Sequence, residues 1–249
     1  MATSAALQDP RVERVLQRLD QENVDSFQQA VTTGTWSGDP FALAQLPLSV
    51  GAETGDLIYL TARAARVTRA VDFATSVGAS LIYLAAAVRD NGGGLVIGAE
   101  LVPAKVEAAR RNVDEAGLTD YVEIREGDAR ETLADVGGPI DYAIVDGFHA
   151  TDSSWTADGG TSLALDVLKL LTPQLRSGAI LVNDNAEPDY LEYVRDRRNG
   201  FRSSWITVIP RHAQKADGEL VASLRKLPAD APLLALMPKV PGLELSVRD

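Results

Sequence analysis

The stretch Arg69-Ala-Val-Asp-Phe-Ala-Thr-Ser-Val-Gly-Ala-Ser80 decides the fold. Residues 70–73 form a short apolar run of the kind that makes a buried strand, small residues make a tight turn, and a helix is predicted to about residue 88. A strand that feeds a helix in this way is the first half of a parallel βαβ unit. Ligands in such folds settle at the carboxyl ends of the strands.

Working outward, the alternation repeats. Strands are predicted at 95–99, 121–125, 140–145 and 178–182, with helices over about 103–116, opened by Pro103 and closed by Gly117, and over 163–171. Upstream, Val12, Val15, Leu16 and Leu19 recur at helical spacing, and a second helix is expected over roughly 56–66. Downstream, a helix is predicted at 191–198, a strand at 201–209 and a helix at 219–227. The favoured ending pairs 232–237 with 243–247 as a hairpin across the proline-rich turn, and the competing one pairs 205–209 with 220–224. The expected fold is α/β: a Rossmann-like, doubly wound, mostly parallel seven-stranded sheet with an antiparallel C-terminal hairpin. The chain reads as a single domain, with residues 1–66 a helical region forming part of a lid. Residues 67–185 make the binding core, and residues 186–249 a cap segment and the hairpin.

Acidic residues stand at the carboxyl end of every predicted parallel strand: Asp72, Glu100, Asp128, Asp146 and Asp184. Five at one edge of one sheet mark a site. The turn after the first strand has a single glycine, Gly78, with Ala74, Ser76 and Ala79 around it, so it poorly suits a diphosphate, which needs close backbone approach. Asp72 suits a cationic group, and Glu100 is placed to accept hydrogen bonds from ribose hydroxyls. S-adenosylmethionine meets both requirements, since it has a nucleoside, an ammonium and a sulfonium and no phosphate.

The chain has 249 residues and a net charge of −11, which argues against non-specific binding to nucleic acid or to an anionic membrane. It has no cysteine, which excludes disulfides, thiolate catalysis and cysteine metal sites. No run approaches a membrane span, and no basic-then-apolar leader opens the sequence. A cytoplasmic protein acting on small molecules is expected.

The motifs resemble those of class I S-adenosylmethionine-dependent O-methyltransferases of the catechol and caffeoyl-coenzyme A type, over about residues 48–185. The 71–80 stretch is similar to the family's acid-x-Gly-Thr-x-x-Gly-Tyr-Ser turn, with Asp72 for glutamate, Ala74 for the first glycine and Ala79 for tyrosine. Gly98-Ala-Glu100 with Pro103 resembles the ribose segment, and Glu126-Gly-Asp-Ala129 the adenine-side motif. Val145-Asp-Gly-Phe-His149 resembles the metal and base segment, and residues 178–185 the segment with two further metal ligands. The resemblance therefore implies that Val50, Asp72, Ala74, Gly78, Ser80, Glu100, Asp128, Ala129 and Asp146 contact the cofactor. It also implies Asp146, Asp184 and Asn185 as ligands of Mg²⁺ or another divalent cation, a hydroxylated small-molecule acceptor and a homodimer.

Methyl transfer from a sulfonium is an in-line displacement, so the protein must align the reactants and help a hydroxyl lose its proton. Asp146, Asp184 and Asn185 are hard oxygen donors, which suit Mg²⁺ and poorly suit zinc. His149 stands where the family commonly has a lysine base, and a group with a pKa of about 6.5 can take a proton near neutrality. His149 and Asp146 are the expected catalytic residues, with an idle loop histidine as the bland alternative. His212 is read as a surface residue. Trp36, Phe148, Trp155 and Trp205 are either walls of the acceptor pocket or core packing. Three other readings stay open: a nicotinamide-dependent oxidoreductase, a non-catalytic S-adenosylmethionine binder, and metal-free methyl transfer.

Overall fold

The structure, a computed structural model, describes residues 6–33, 46–147, 160–184, 187–208 and 242–249. Expectations for Trp36, Phe148, His149, Trp155, Asn185 and His212 lie outside these residues, as do those for the helix at 219–227 and for strands at 220–224 and 232–237.

Helix α1 (Pro10–Thr33) carries the predicted stripe, with Val12, Val15, Leu16 and Leu19 all buried. Helix α2 (Ala52–Ala64) begins earlier than its charges suggested. Its Gly55 is required for packing, since a Cβ there would fall 2.1 Å from the Tyr83 ring. Strand β1 (Arg69–Phe73) feeds α3 (Ala79–Asp90), which is buried from Ala79 to Val88 and so is a core helix rather than a surface one. The unit repeats as β2 (Leu95–Glu100), α4 (Pro103–Ala116), β3 (Val122–Glu126) and the short α5 (Ala129–Thr132). It continues as β4 (Ile140–Val145), α6 (Leu163–Leu171), β5 (Leu175–Asn183) and α7 (Pro188–Arg195). Strands β6 (Phe201–Thr207) and β7 (Gly242–Arg248) follow.

The seven strands lie in the order β3-β2-β1-β4-β5-β7-β6 and all run the same way except β7, which is antiparallel to both of its neighbours, β5 and β6. Two expectations need correction. Strand β5 starts at Leu175, not Gly178: Ile140 pairs with Leu175 and Tyr142 with Ile180, so extra residues bulge within the strand, and Gly178 at φ 77° sits in the bulge. The edge pair is also different. Strand β7 is flanked by β5 on one side and by β6 on the other, so both partners of 243–247 are accounted for, and the antiparallel pair is made with 201–207.

Side chains alternate across the sheet. Ala70, Val96, Tyr142, Ile144 and Val182 join one apolar cluster with α1 to α4, and Val71, Ile97, Ala143, Val145 and Leu181 join the other with α5 to α7. The amino edge is pinned by Asp141, whose carboxylate accepts from the Thr68 and Arg69 amides (2.7 and 2.9 Å), from the Thr68 hydroxyl (2.9 Å) and from Arg176.

Candidate active site

Alternation decides which side chains meet at the carboxyl edge. Ala70 faces the α1–α4 layer, so Asp72, two residues on, faces it too; Ile144 and Val182 likewise carry Asp146 and Asp184 to that side. Ile144 pairs with Val182, so Asp146 and Asp184, each two residues further along, leave adjacent parallel strands side by side. Strands in a sheet lie about 4.8 Å apart, which puts two carboxylates within strong repulsive reach. Gly147 lets the chain leave Asp146 over the Phe73 ring, because a Cβ there would fall 2.1 Å from that ring.

The turn after β1 is held from β2. The amides of Ala74 and Thr75 donate to the Ala99 carbonyl (3.0 and 3.1 Å), and the Ser76 amide donates to Glu100 Oε2 (2.8 Å). Glu100 Oε1 accepts from the Val102 amide (2.8 Å), so the expected ribose acceptor also clamps the turn. A Cβ at Gly98 would come within 2.6 Å of Thr75 Oγ1, so glycine there admits the turn. Ala74, Ser76 and Gly78 all adopt positive φ, at 66°, 51° and 96°. For alanine and serine that conformation costs roughly 1–2 kcal/mol each, which accounts for the resembling family's glycine at the position of Ala74.

Asp72 is fully buried: Oδ2 accepts from the Ser80 hydroxyl (3.1 Å), and Oδ1 has no partner. Burial pushes its pKa up to about 7, against the Ser80 and Thr75 hydrogen bonds, with some repulsion from Glu100. Asp146 and Asp184 are half-buried and open onto the cleft. Burial, then repulsion from Asp184, Glu187 and Asp72, raises Asp146 well above the ordinary carboxylate value, and burial raises Asp184.

A cleft of about 230 Å³ opens above this edge. Of the predicted residues it brings together Val50, Ala74, Ser80, Asp146 and Asp184. Asp72, Gly78 and Glu100 lie behind this lining in and beside the β1 turn, and Asp128 and Ala129 are not part of it either. Asp128 instead caps α5, accepting from the Arg130 amide (2.8 Å) and pairing with the Arg130 guanidinium. Trp205 lies in the edge pair, against Gly242, away from the cleft. Leu48 and Ser49, beside the expected Val50, also line the cleft, and Asn23 of α1 and Ser76 do so without having been singled out. Ser76 stood inside the quoted turn, but nothing local marked Asn23, whose place depends on how α1 docks.

Asn23 Oδ1, Asp72 Oδ1 and Ser76 Oγ are all buried without a partner. Two acceptors and a hydroxyl left open fit a ligand bearing an ammonium and a carboxylate, such as the amino-acid end of S-adenosylmethionine. Two adjoining carboxylates with raised pKa fit a divalent cation, which would relieve their repulsion. Among the described residues no group of three or more His, Cys, Asp or Glu side chains is disposed as a metal site, so further donors would have to come from elsewhere. No helix among the described residues is long and apolar enough to cross a membrane.

Comparison with known proteins points the same way. A family profile described as "Methyltransferase domain" matches residues 72–186. A catechol O-methyltransferase of Mycobacterium tuberculosis is 31% identical over 191 residues, which cover 71% of this chain and 80% of that protein. The structure resembles that of an O-methyltransferase from Bacillus cereus in complex with SAH, with a TM-score of 0.60 at 14% identity, covering 95% of this chain and 91% of that one. It also resembles the O-methyltransferase TomG from Streptomyces achromogenes, in complex with SAM, with a TM-score of 0.58 at 20% identity, covering 94% and 98%.

Proposed function

Because this chain belongs to the class I S-adenosylmethionine-dependent O-methyltransferases of the catechol and caffeoyl-coenzyme A type, we propose that it methylates one hydroxyl of a catechol-like acceptor held by a divalent cation. The supporting observation is the pair Asp146 and Asp184, side by side at the carboxyl edge and open to the same cleft as the β1 turn. The cofactor supplies the methyl group, and the cation supplies positive charge that makes the acceptor hydroxyl easier to deprotonate.

The chain's own residues do the rest. Asp72 and Ser80 take the ammonium of the cofactor's amino-acid end, where Asp72 Oδ1 has no protein partner. Glu100 keeps the turn in place through Ser76 and accepts from the ribose hydroxyls with its remaining lone pairs. Asp146 and Asp184, with Asn185, are the cation's ligands. His149, three residues past Asp146, takes the acceptor's proton. The alignment of acceptor and methyl group is the larger part of the rate enhancement.

Calorimetric titration with S-adenosylhomocysteine, with Mg²⁺ and catechol present and again with EDTA, tests this reading. Cofactor binding in both, with catechol joining only when Mg²⁺ is present, is the expected result. Cofactor binding with no metal effect would leave a metal-free transferase, and no binding at all would overturn the assignment of the β1 turn.

A further inference from the structure

A polar contact on the far side of the sheet bears on how Asp146 and Asp184 are held. Asn183 immediately precedes Asp184, and Val145 immediately precedes Asp146. By alternation Asn183 faces away from the cleft, and it is fully buried at the end of a run that is otherwise apolar. Its Nδ2 donates to the Val145 carbonyl (2.8 Å) and to Glu187 Oε2 (3.1 Å). Glu187 is 4% exposed and is the N-cap residue of α7, yet its side chain makes no capping hydrogen bond and turns back to Asn183 instead.

We infer that Asn183 and Glu187 form a bracket that positions Asp184 against Asp146: one contact ties β5 to β4 beside both carboxylates, and the other joins Asn183, just before Asp184, to Glu187 at the start of α7. The functional consequence rests on the cation reading given above. A buried amide costs free energy unless its donors are used, and both of these are. A carboxyl buried beside Asp146 and Asp184 adds repulsion. Packing alone would be better served by an apolar residue at either position. What the polar pair provides is a fixed register at the point where the strands end and ladder hydrogen bonds run out. Glu187 and Asn183 are positioning residues, not ligands.

The test compares wild type, Glu187→Gln and Glu187→Ala. Glutamine keeps an oxygen to accept from Asn183, and alanine does not. Hydrogen exchange across 181–187, measured without metal, is expected to be at least ~10-fold faster in Glu187→Ala and close to wild type in Glu187→Gln. Mn²⁺ affinity, read by calorimetry with S-adenosylhomocysteine present, is expected to fall ~10-fold or more in Glu187→Ala and by less than ~3-fold in Glu187→Gln. Unchanged exchange in Glu187→Ala would overturn the bracket. Faster exchange with unchanged Mn²⁺ affinity would make it structural only, and equal loss in both variants would assign the effect to charge. If wild type itself takes no Mn²⁺ while exchange behaves as expected, the cation reading falls and the bracket's hold on Asp184 stands.

Discussion

Replacing Asp72 by asparagine should make the free protein more stable and the cofactor complex weaker. Asp72 is fully buried, with one carboxylate oxygen unpartnered and a pKa lifted from 3.8 to about 7. A carboxyl whose pKa is raised on folding is neutral in both states below pH 3.8, so it imposes nothing there. Between 3.8 and about 7 the unfolded chain ionises first, and the penalty on the folded state grows, reaching its full value above about 7. That interval, at about 1.4 kcal/mol for each pH unit, amounts to about 4 kcal/mol at most. The asparagine amide loses part of this because its own donors need partners. Asp72→Asn should therefore melt higher than wild type at pH 8, by up to roughly 10 °C, and show little gain at pH 4. S-adenosylhomocysteine keeps the ammonium, and losing a charged partner for it should weaken binding ~10- to 100-fold. Wild-type binding should release close to one proton at pH 6 and almost none at pH 8, because the ammonium favours the ionised carboxylate. Calorimetry in buffers of different ionisation enthalpy reads that proton directly. An Asp72→Asn protein that is no more stable at pH 8 and binds the ligand as tightly would refute the assignment.

Two further outcomes follow from other sites. Burial acts to raise Asp141, but Arg176 and the Thr68 and Arg69 amides prevail and hold it below 3.8. Its stabilising contribution is complete above that value and fades as pH falls through the lowered one, so Asp141→Asn should lose about 3 kcal/mol at pH 7 and progressively less below pH 4 in urea denaturation. His149→Ala should lower turnover ~100-fold or more while S-adenosylhomocysteine affinity stays within about twofold; equal turnover would remove His149 from the mechanism.

Much of this protein was legible in the linear chain. Strands and helices are local patterns, so the apolar runs at 70–73, 95–99 and 140–145 and the helices between them could be read without knowing what they touch. The acids at the strand ends could be read in the same way, because a parallel sheet puts every such end on one edge. Tertiary structure decided the rest, for reasons of long-range contact. The place of β7 between β5 and β6 depends on pairing across a long separation, and no local pattern chooses between partners of similar composition. Asn23 reaches the cleft because α1 docks by its Val12–Leu19 stripe, which fixes the helix's direction and not its own identity as a ligand contact. Asn183 read as a strand end and Glu187 as part of the segment before the helix predicted at 191–198, and only the fold joins them. The cap that Asp128 makes on α5 and its pairing with Arg130 were likewise visible only in the folded chain. The sequence determined which side chains stand at the edge of the sheet; strand parity, register and helix docking determined which of them face one another across the cleft.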